Sequence, residues 1–256
     1  MAGGAVIEVE DLGVRRGGRL IIERCTIAVP RGGILAVLGA NGVGKTTLLM
    51  TLTGVLKPEI GRLRVDGRTG YVPQLYDVAF SYSAMDIALM GRARHVGLFG
   101  APRQRDYAIV RRYFRLMGID DLEERTFNTL SGGQRQLVVI AQALASECDV
   151  LILDEPCAAL DYKNQRIVID LLARLSREHG LTVVFTTHAP QHAVEIASEV
   201  LLMYPAGPAL GGAREDVLNA GNLSSLYDVP IGRADFVGSD RFTYAPLYGD
   251  GTEAAR

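Results

Sequence analysis

Ile34-Leu35-Ala36-Val37-Leu38 is wholly apolar and runs straight into Gly39-Ala40-Asn41-Gly42-Val43-Gly44-Lys45-Thr46-Thr47. A short unbroken apolar run predicts a strand buried on both faces, and such strands belong to parallel sheets covered by helices. Thr46 to Leu56 continues at helical spacing and stops at Lys57-Pro58, so the glycine segment links a strand to a helix. Strand, glycine loop and helix in that order predict an α/β fold with its ligand at the C-terminal ends of the strands.

The pattern recurs downstream. Val150 to Leu153 and Thr182 to Phe185 are apolar strands separated by a helix near Asn164 to His179, as crossover connections require. Ahead of this core, Val6 to Val9 and Leu20 to Val29 flank Gly17-Gly18 and predict an antiparallel sheet. Gly61 to Val72 holds two short strands around Asp66-Gly67, a dipeptide that favours hairpin turns. Ser81 to Met117 reads as a helical insertion broken at Gly97 to Pro102. The expected organisation is one large domain over 1–230, with a helical part at about 76–145, and a partly flexible C-terminal extension over 231–256.

Composition removes several classes. With 256 residues and 48% hydrophobic content the chain can bury a large core, and its formal net charge of -2 lacks the basic excess of nucleic-acid binders. No apolar run reaches the length of a membrane span, and Met1 to Glu10 lacks a signal-peptide pattern. Cys25, Cys148 and Cys157 have no metal-type spacing and read as reduced core thiols, which places the chain inside the cell.

The glycine segment has the spacing of two glycines, a lysine and a threonine that cradles polyphosphates with backbone N–H groups at a helix N-terminus. Lys45 is expected to reach the β- and γ-phosphates, Thr46 to coordinate Mg2+, and Thr47 to donate to the α-phosphate. Leu151-Ile152-Leu153-Asp154-Glu155 sets two carboxylates at a strand end, a placement shared by plain solvated loops. Beside a phosphate loop, Asp154 is expected to hold Mg2+ and Glu155 to orient and deprotonate the attacking water. Leu130-Ser131-Gly132-Gly133-Gln134 precedes a helix from Gln136 to Ala145. Its hydroxyl and bare amides could bind a terminal phosphate, or simply form a serine N-cap and turn.

Taken together, these strings resemble the ATP-binding-cassette (ABC) ATPases over roughly the first nine-tenths of the chain. The resemblance implies a P-loop NTPase of the ABC type: a parallel-sheet core, an N-terminal antiparallel β subdomain and an α-helical insertion. It further implies that Ser131, Gly132, Gly133 and Gln134 of one copy close over the γ-phosphate held by the other, in a homodimer binding two ATP. By the same resemblance Gln74 touches Mg2+ and the attacking water, His188 contacts the γ-phosphate, and Asp161 belongs to the loop crossing the dimer. Arg16 occupies the place of the adenine-stacking aromatic, Cys157 that of a threonine, Gln142 that of an arginine and Ala189 that of an aspartate. His188 and His192 are four apart, a spacing open to a metal pair, but Pro190 intervenes and no third ligand is evident. His95, His179 and His192 read as surface or groove residues.

Ala88-Leu89-Met90-Gly91-Arg92 with His95, and Leu160-Asp161 with Asn164-Gln165, resemble importers of iron-siderophore, haem and cobalamin cargo. Phe80 to Ile87, Ala145 to Cys148, Val184 to His188 and Pro246 to Tyr248 look closest to the molybdate and tungstate importer type. The implied partners are a multi-span permease dimer and, indirectly, a solute-binding protein, with the chain peripheral on the cytoplasmic face of the membrane. Apolar residues at helical spacing from Ser81, beside Arg92, Arg94 and His95, would form the groove that receives a permease helix. The competing reading is a soluble ABC ATPase for assembly or repair, such as iron-sulfur cluster assembly.

Overall fold

The computed structural model describes residues 4–248 apart from 75, 77, 98 and 99. The flexible end expected over 249–256 lies outside the described residues. In chain order the elements are β1 (Ala5–Arg16), β2 (Arg19–Pro30), β3 (Ile34–Leu38), α1 (Lys45–Leu52), β4 (Ile60–Val65) and β5 (Thr69–Val72). The helical stretch holds α2 (Ala84–Leu89), a 3-10 turn at Met90–Arg92, α3 (Ala93–Val96) and α4 (Gln104–Met117). There follow α5 (Gly132–Ala145), β6 (Val150–Leu153), α6 (Tyr162–His179), β7 (Thr182–Thr187), α7 (Pro190–Ile196) and β8 (Glu199–Leu202). The chain closes with β9 (Leu210–Ala213), α8 (Arg214–Val217), α9 (Ala220–Tyr227), β10 (Ile231–Asp235) and β11 (Phe242–Pro246). Two compact units result, one of Met1–Val65 with Thr186–Arg256 and one of Asp66–Phe185.

In the first unit β1 lies between β2 and β4 in an antiparallel sheet. Ile7, Val9, Leu12 and Val14 of β1 are buried, and Val9 faces Ile27 on one side and Leu63 on the other. Alternation within β1 thus gives the sheet one apolar face, as the sequence pattern requires. The second sheet element of this unit is β3, buried at every residue, paired in parallel with β8 from Leu35↔Glu199 to Leu38↔Leu202. Its neighbour β8 pairs antiparallel with β9. Helix α1 is shorter than its apolar pattern suggested, because the chain turns at Thr53 and Gly54 takes a left-handed φ of 79°. The hairpin β10–β11 is supported by the Arg233 guanidinium, 3.9 Å from the Phe242 ring centroid.

In the second unit β5, β6 and β7 form parallel pairs in register Thr69↔Val150 and Leu151↔Val183. Asp66-Gly67 is therefore not the tip of a hairpin. β4 pairs with β1, whereas β5 pairs with β6. Asp149 locks this departure: its Oδ2 accepts the Arg68 N–H at 2.8 Å, while the Asp149 and Val150 N–H groups donate to the Arg68 carbonyl. The turn residues are thus bonded across to the strand that follows α5, and a two-strand ribbon is replaced by a crossover.

The helical stretch packs α2 and α4 against α5. Ser83 and Asp86 form a capping box at the start of α2, Ser83 Oγ accepting the Asp86 N–H. At Gly91 a Cβ would fall 1.9 Å from the Gln142 carbonyl, so only glycine admits this close backbone approach. Arg92, expected in an open groove, is 2% exposed. Its Nε donates to Asp106 Oδ1 at 3.0 Å and its Nη1 to the Ala145 carbonyl and Glu147 Oε2 at 2.7 and 2.8 Å. A buried cation is tolerable here because two carboxylates and the C-terminal carbonyl of α5 surround it. The Arg103 backbone N–H and then Arg92 hold Asp106 below the usual carboxylate range, and the Arg92 hydrogen bond does the same to Glu147.

Candidate active site

In the first unit the fully buried β3 delivers the chain to Gly39 with no side chain in the way. A Cβ at Gly39 would lie 2.6 Å from the Met203 carbonyl, and one at Gly44, where φ is 106°, would lie 2.7 Å from Ile21 Cγ2. Gly42, at φ 81°, has nothing within 4 Å of its Cβ position. The loop is thus tightly backed at Gly39 and Gly44 and open at Gly42. Asn41 beside it is exposed, Ala40 and Val43 are half-buried, and α1 begins directly at Lys45.

Lys45 is buried, with Nζ donating to the Gly39 and Ala40 carbonyls at 2.9 and 3.1 Å. The ammonium therefore curls back over its own loop. Thr46 is exposed and Thr47 buried, as neighbours about 100° apart on a helix can be. Glycines at left-handed φ, a helix start and a folded-back lysine make a cradle that fits a polyphosphate. Arg16 is exposed at the end of β1, opposite Arg19.

Also in this unit, β7 ends at Thr187 and hands the chain to exposed His188. Thr187 Oγ1 accepts the Ala189 N–H at 3.1 Å and shares a hydrogen bond with His192 Nδ1, also at 3.1 Å. His192 is buried, not a surface or groove residue. Desolvation, and then the neighbouring His188, push its pKa down to about 4. The imidazole is thus neutral and hydrogen-bonded, and no group of three or more His, Cys, Asp or Glu able to hold a metal occurs among the described residues. Tyr227 Oη, from α9, donates to the His188 carbonyl at 3.2 Å. The sequence offered no signal for Tyr227.

In the second unit the register of β5 and β6 organises the chemistry. Val72 is paired with Leu153, and two residues beyond each strand end stand Gln74 and Glu155. Gln74 Nε2 donates to Glu155 Oε2 at 3.2 Å. Between them Asp154 is 4% exposed, its N–H donating to the Val72 carbonyl at 2.9 Å. Glu155 itself sits at φ 45°, a left-handed conformation that costs a side-chain-bearing residue about 1–2 kcal/mol. The following Pro156 further disfavours helical backbone at Glu155. Strain at the one residue expected to act on water is consistent with a functional position. The buried Asp154 carboxylate is an oxygen donor of the kind that Mg2+ prefers.

Ser131 is the N-cap of α5: its Oγ accepts the Gln134 N–H at 3.3 Å and Gln134 Oε1 accepts the Ser131 N–H at 3.0 Å. Ser131 and Gly132 are exposed, while a Cβ at Gly133 would lie 2.5 Å from Asn164. Asp161 is exposed and caps α6, its Oδ1 accepting the Asn164 N–H at 2.8 Å. A cleft of about 390 Å³ is lined by Gln74, Glu155, Pro156, Gly132 and Arg135. Gln142, unexplained at the sequence level, donates to Tyr76 Oη at 3.1 Å, and Tyr76 stands edge-on to Phe127. A separate groove of about 770 Å³ runs along Leu89, Met90, Ala93, Arg94, Val96 and Tyr107. Arg94 remains beside it, whereas His95 turns away to the Ser146 carbonyl at 3.2 Å.

The family model for the ABC transporter matches residues 22–158. The chain belongs to the ABC transporter family. This ABC ATPase is 40% identical over 245 residues to the molybdate import ATP-binding protein MolC of Haemophilus influenzae, covering 94% of this chain and 96% of that one. It is 31% identical over 231 residues to the ferric enterobactin transport ATP-binding protein FepC of Escherichia coli, covering 85% of each chain. Among solved structures, an inward-facing metal-chelate type ABC transporter matches with a TM-score of 0.91 and 40% identity, over 95% of this chain and 98% of that one. The chain is thus the ATP-binding subunit of an ABC transporter and an ATPase, with the mixed α/β cassette fold. No helix among its described residues is long and apolar enough to cross a membrane.

Proposed function

We propose that this ABC ATPase powers a membrane importer whose cargo is a metal chelate or a metal oxyanion. Two copies form a homodimer, and ATP closes it on the permease. Gly39 to Thr47 cradle the polyphosphate, Arg16 lies against adenine, and Ser131 to Gln134 with Asp161 of the second copy complete the site. Thr46, Asp154 and Gln74 are the residues suited to hold Mg2+, which when bound offsets charge on the β- and γ-phosphates. Glu155 takes the proton of the attacking water, Gln74 orients that carboxylate, and His188 contacts the γ-phosphate.

The observation that carries the reading is the Gln74–Glu155 hydrogen bond at 3.2 Å, which joins the base to the residue leading into the helical stretch. Movement of that stretch therefore has a direct route to the reacting carboxylate. The groove along Met90 and Tyr107, apolar with Arg94 beside it, has the chemistry to take a short permease helix. The cargo class is supported by the similarity to MolC and FepC.

The test is reconstitution of the ATPase with its permease and solute-binding protein in liposomes. Turnover stimulated by cargo-loaded binding protein, with uptake of molybdate or a ferric chelate, is the expected result. Full ATPase activity with no permease association in a membrane pull-down would overturn the importer assignment.

A further inference from the structure

We infer that the C-terminal lobe of this chain sets the position of His188, and that Tyr227 is the positioning residue through which it does so. The inference rests on the proposed role of His188 at the γ-phosphate.

The segment from Thr187 to Ile196 is pinned at three points within the first unit. On its inner side Thr187 Oγ1 bonds both the Ala189 N–H and the buried His192 ring. At His188 itself the backbone carbonyl accepts the Tyr227 hydroxyl at 3.2 Å. At the far end of α7, Glu195 pairs with Arg241, which lies just before β11. His188 is exposed, and these contacts act on its backbone.

The lobe that supplies two of these contacts is itself cross-braced. Ser224 Oγ of α9 accepts the Ile231 N–H at 2.9 Å, and Tyr244 of β11 donates to the Leu218 carbonyl at 2.8 Å. Leu247 N–H donates to the Pro230 carbonyl at 2.8 Å, closing the hairpin onto the end of α9. Leu223 and Leu226, on the inner face of α9, are buried and hold the helix that carries Tyr227. A rigid helix presenting one hydroxyl to the carbonyl of an exposed functional residue is a supporting shell: it narrows the rotations of the His188 backbone and with them the reach of its ring.

Such a contact matters to rate more than to stability. One hydrogen bond at a partly exposed site contributes little to folding, whereas a small displacement of a group acting on the transferred phosphate costs turnover directly.

Tyr227→Phe removes only the hydroxyl and keeps the ring. The expected result is a fall in kcat of about three- to tenfold with KM for ATP within twofold and Tm within about 3 °C. Arg241→Ala, which removes a surface pair of small energetic weight, is expected to lower kcat about twofold and covers the case in which Tyr227→Phe alters folding. His188→Ala is measured alongside. If His188→Ala stops turnover while Tyr227→Phe and Arg241→Ala leave kcat unchanged, or lower Tm without changing kcat, the positioning role is overturned and the site reading stands. If His188→Ala itself leaves turnover unchanged, the site reading falls and this inference with it.

Discussion

Gln74 Nε2 reaches Glu155 Oε2 across 3.2 Å because Val72 and Leu153, two residues before each, are register partners in adjacent parallel strands. The contact is a product of strand pairing, not of loop adaptation. Substituting Glu155 by Gln preserves an acceptor for the Gln74 amide while removing the base. Phosphate release should fall by at least about a hundredfold with ATP affinity retained. In Mg2+ and ATP the variant should elute as a dimer in light-scattering chromatography; a persistent monomer or undiminished phosphate release would contradict the role of Glu155.

Lys45 Nζ donates to the carbonyls of Gly39 and Ala40 in its own loop. Lys45→Ala should therefore leave the fold intact and act on the nucleotide. The Kd for ATP is expected to rise about ten- to a hundredfold, the value of a charge-assisted contact. Titration of fluorescent ATP with circular dichroism as a control reads both effects.

Arg92 and Asp106 are each 2% exposed and bonded at 3.0 Å. Arg92→Met alone leaves Asp106 buried without its cation and should destabilise by about 3–5 kcal/mol in urea unfolding. The double substitution Arg92→Met with Asp106→Leu should recover much of that loss. Equal destabilisation by single and double variants would show that the pair itself, not the stranded carboxylate, supplies the stability.

Acid stability carries two signatures. Asp106 and Glu147 are depressed in the folded state, so their contribution is present above their ordinary values of 3.8 and 4.5 and disappears as pH falls below them. His192 is a base whose folded value drops from 6.5 to about 4, so between those values the unfolded chain binds more protons and stability falls with falling pH. That loss is on the order of 3 kcal/mol by pH 4, at about 1.4 kcal/mol per pH unit. His192→Asn should flatten Tm against pH between about 6.5 and 4 and leave the steeper decline below it.

Gly91→Ala would set a methyl 1.9 Å from the Gln142 carbonyl, a backbone atom that cannot yield cheaply. The approach of the 3-10 turn to α5 should be forced apart, lowering stability by about 1–3 kcal/mol in urea unfolding. An unchanged midpoint would mean that the two backbones are not in contact in solution.

The strand-loop-helix over 34–52 and the buried strands β6 and β7 were legible because apolar runs and glycine spacing are local signals. The N-cap at Ser131 was legible for the same reason. What stayed hidden depends on partners far along the chain. Asp66-Gly67 carries a hairpin signal, but Asp149 captures the Arg68 N–H from a distance of 81 residues. Arg92 reads as a surface cation until Asp106, Glu147 and the Ala145 carbonyl gather around it. His192 reads as exposed until Thr187 takes its Nδ1. Tyr227 could not be singled out, since its hydroxyl meets a backbone carbonyl, which has no residue identity to recognise.

The split of the chain into one continuous unit and one discontinuous unit has a consequence for its birth on the ribosome. Residues 66–185 are a single stretch and can close their own core as soon as they emerge. By contrast β3, with the nucleotide loop behind it, must wait for β8: Ile34 and the Ser198 hydroxyl that receives its N–H are 164 residues apart. At about 5–20 residues per second that interval is roughly 8–30 seconds of synthesis, during which an entirely apolar strand is without its neighbour β8. Slowed translation of the message between β3 and β8 should therefore raise aggregation of this ATPase, through the prolonged exposure of Ile34–Leu38.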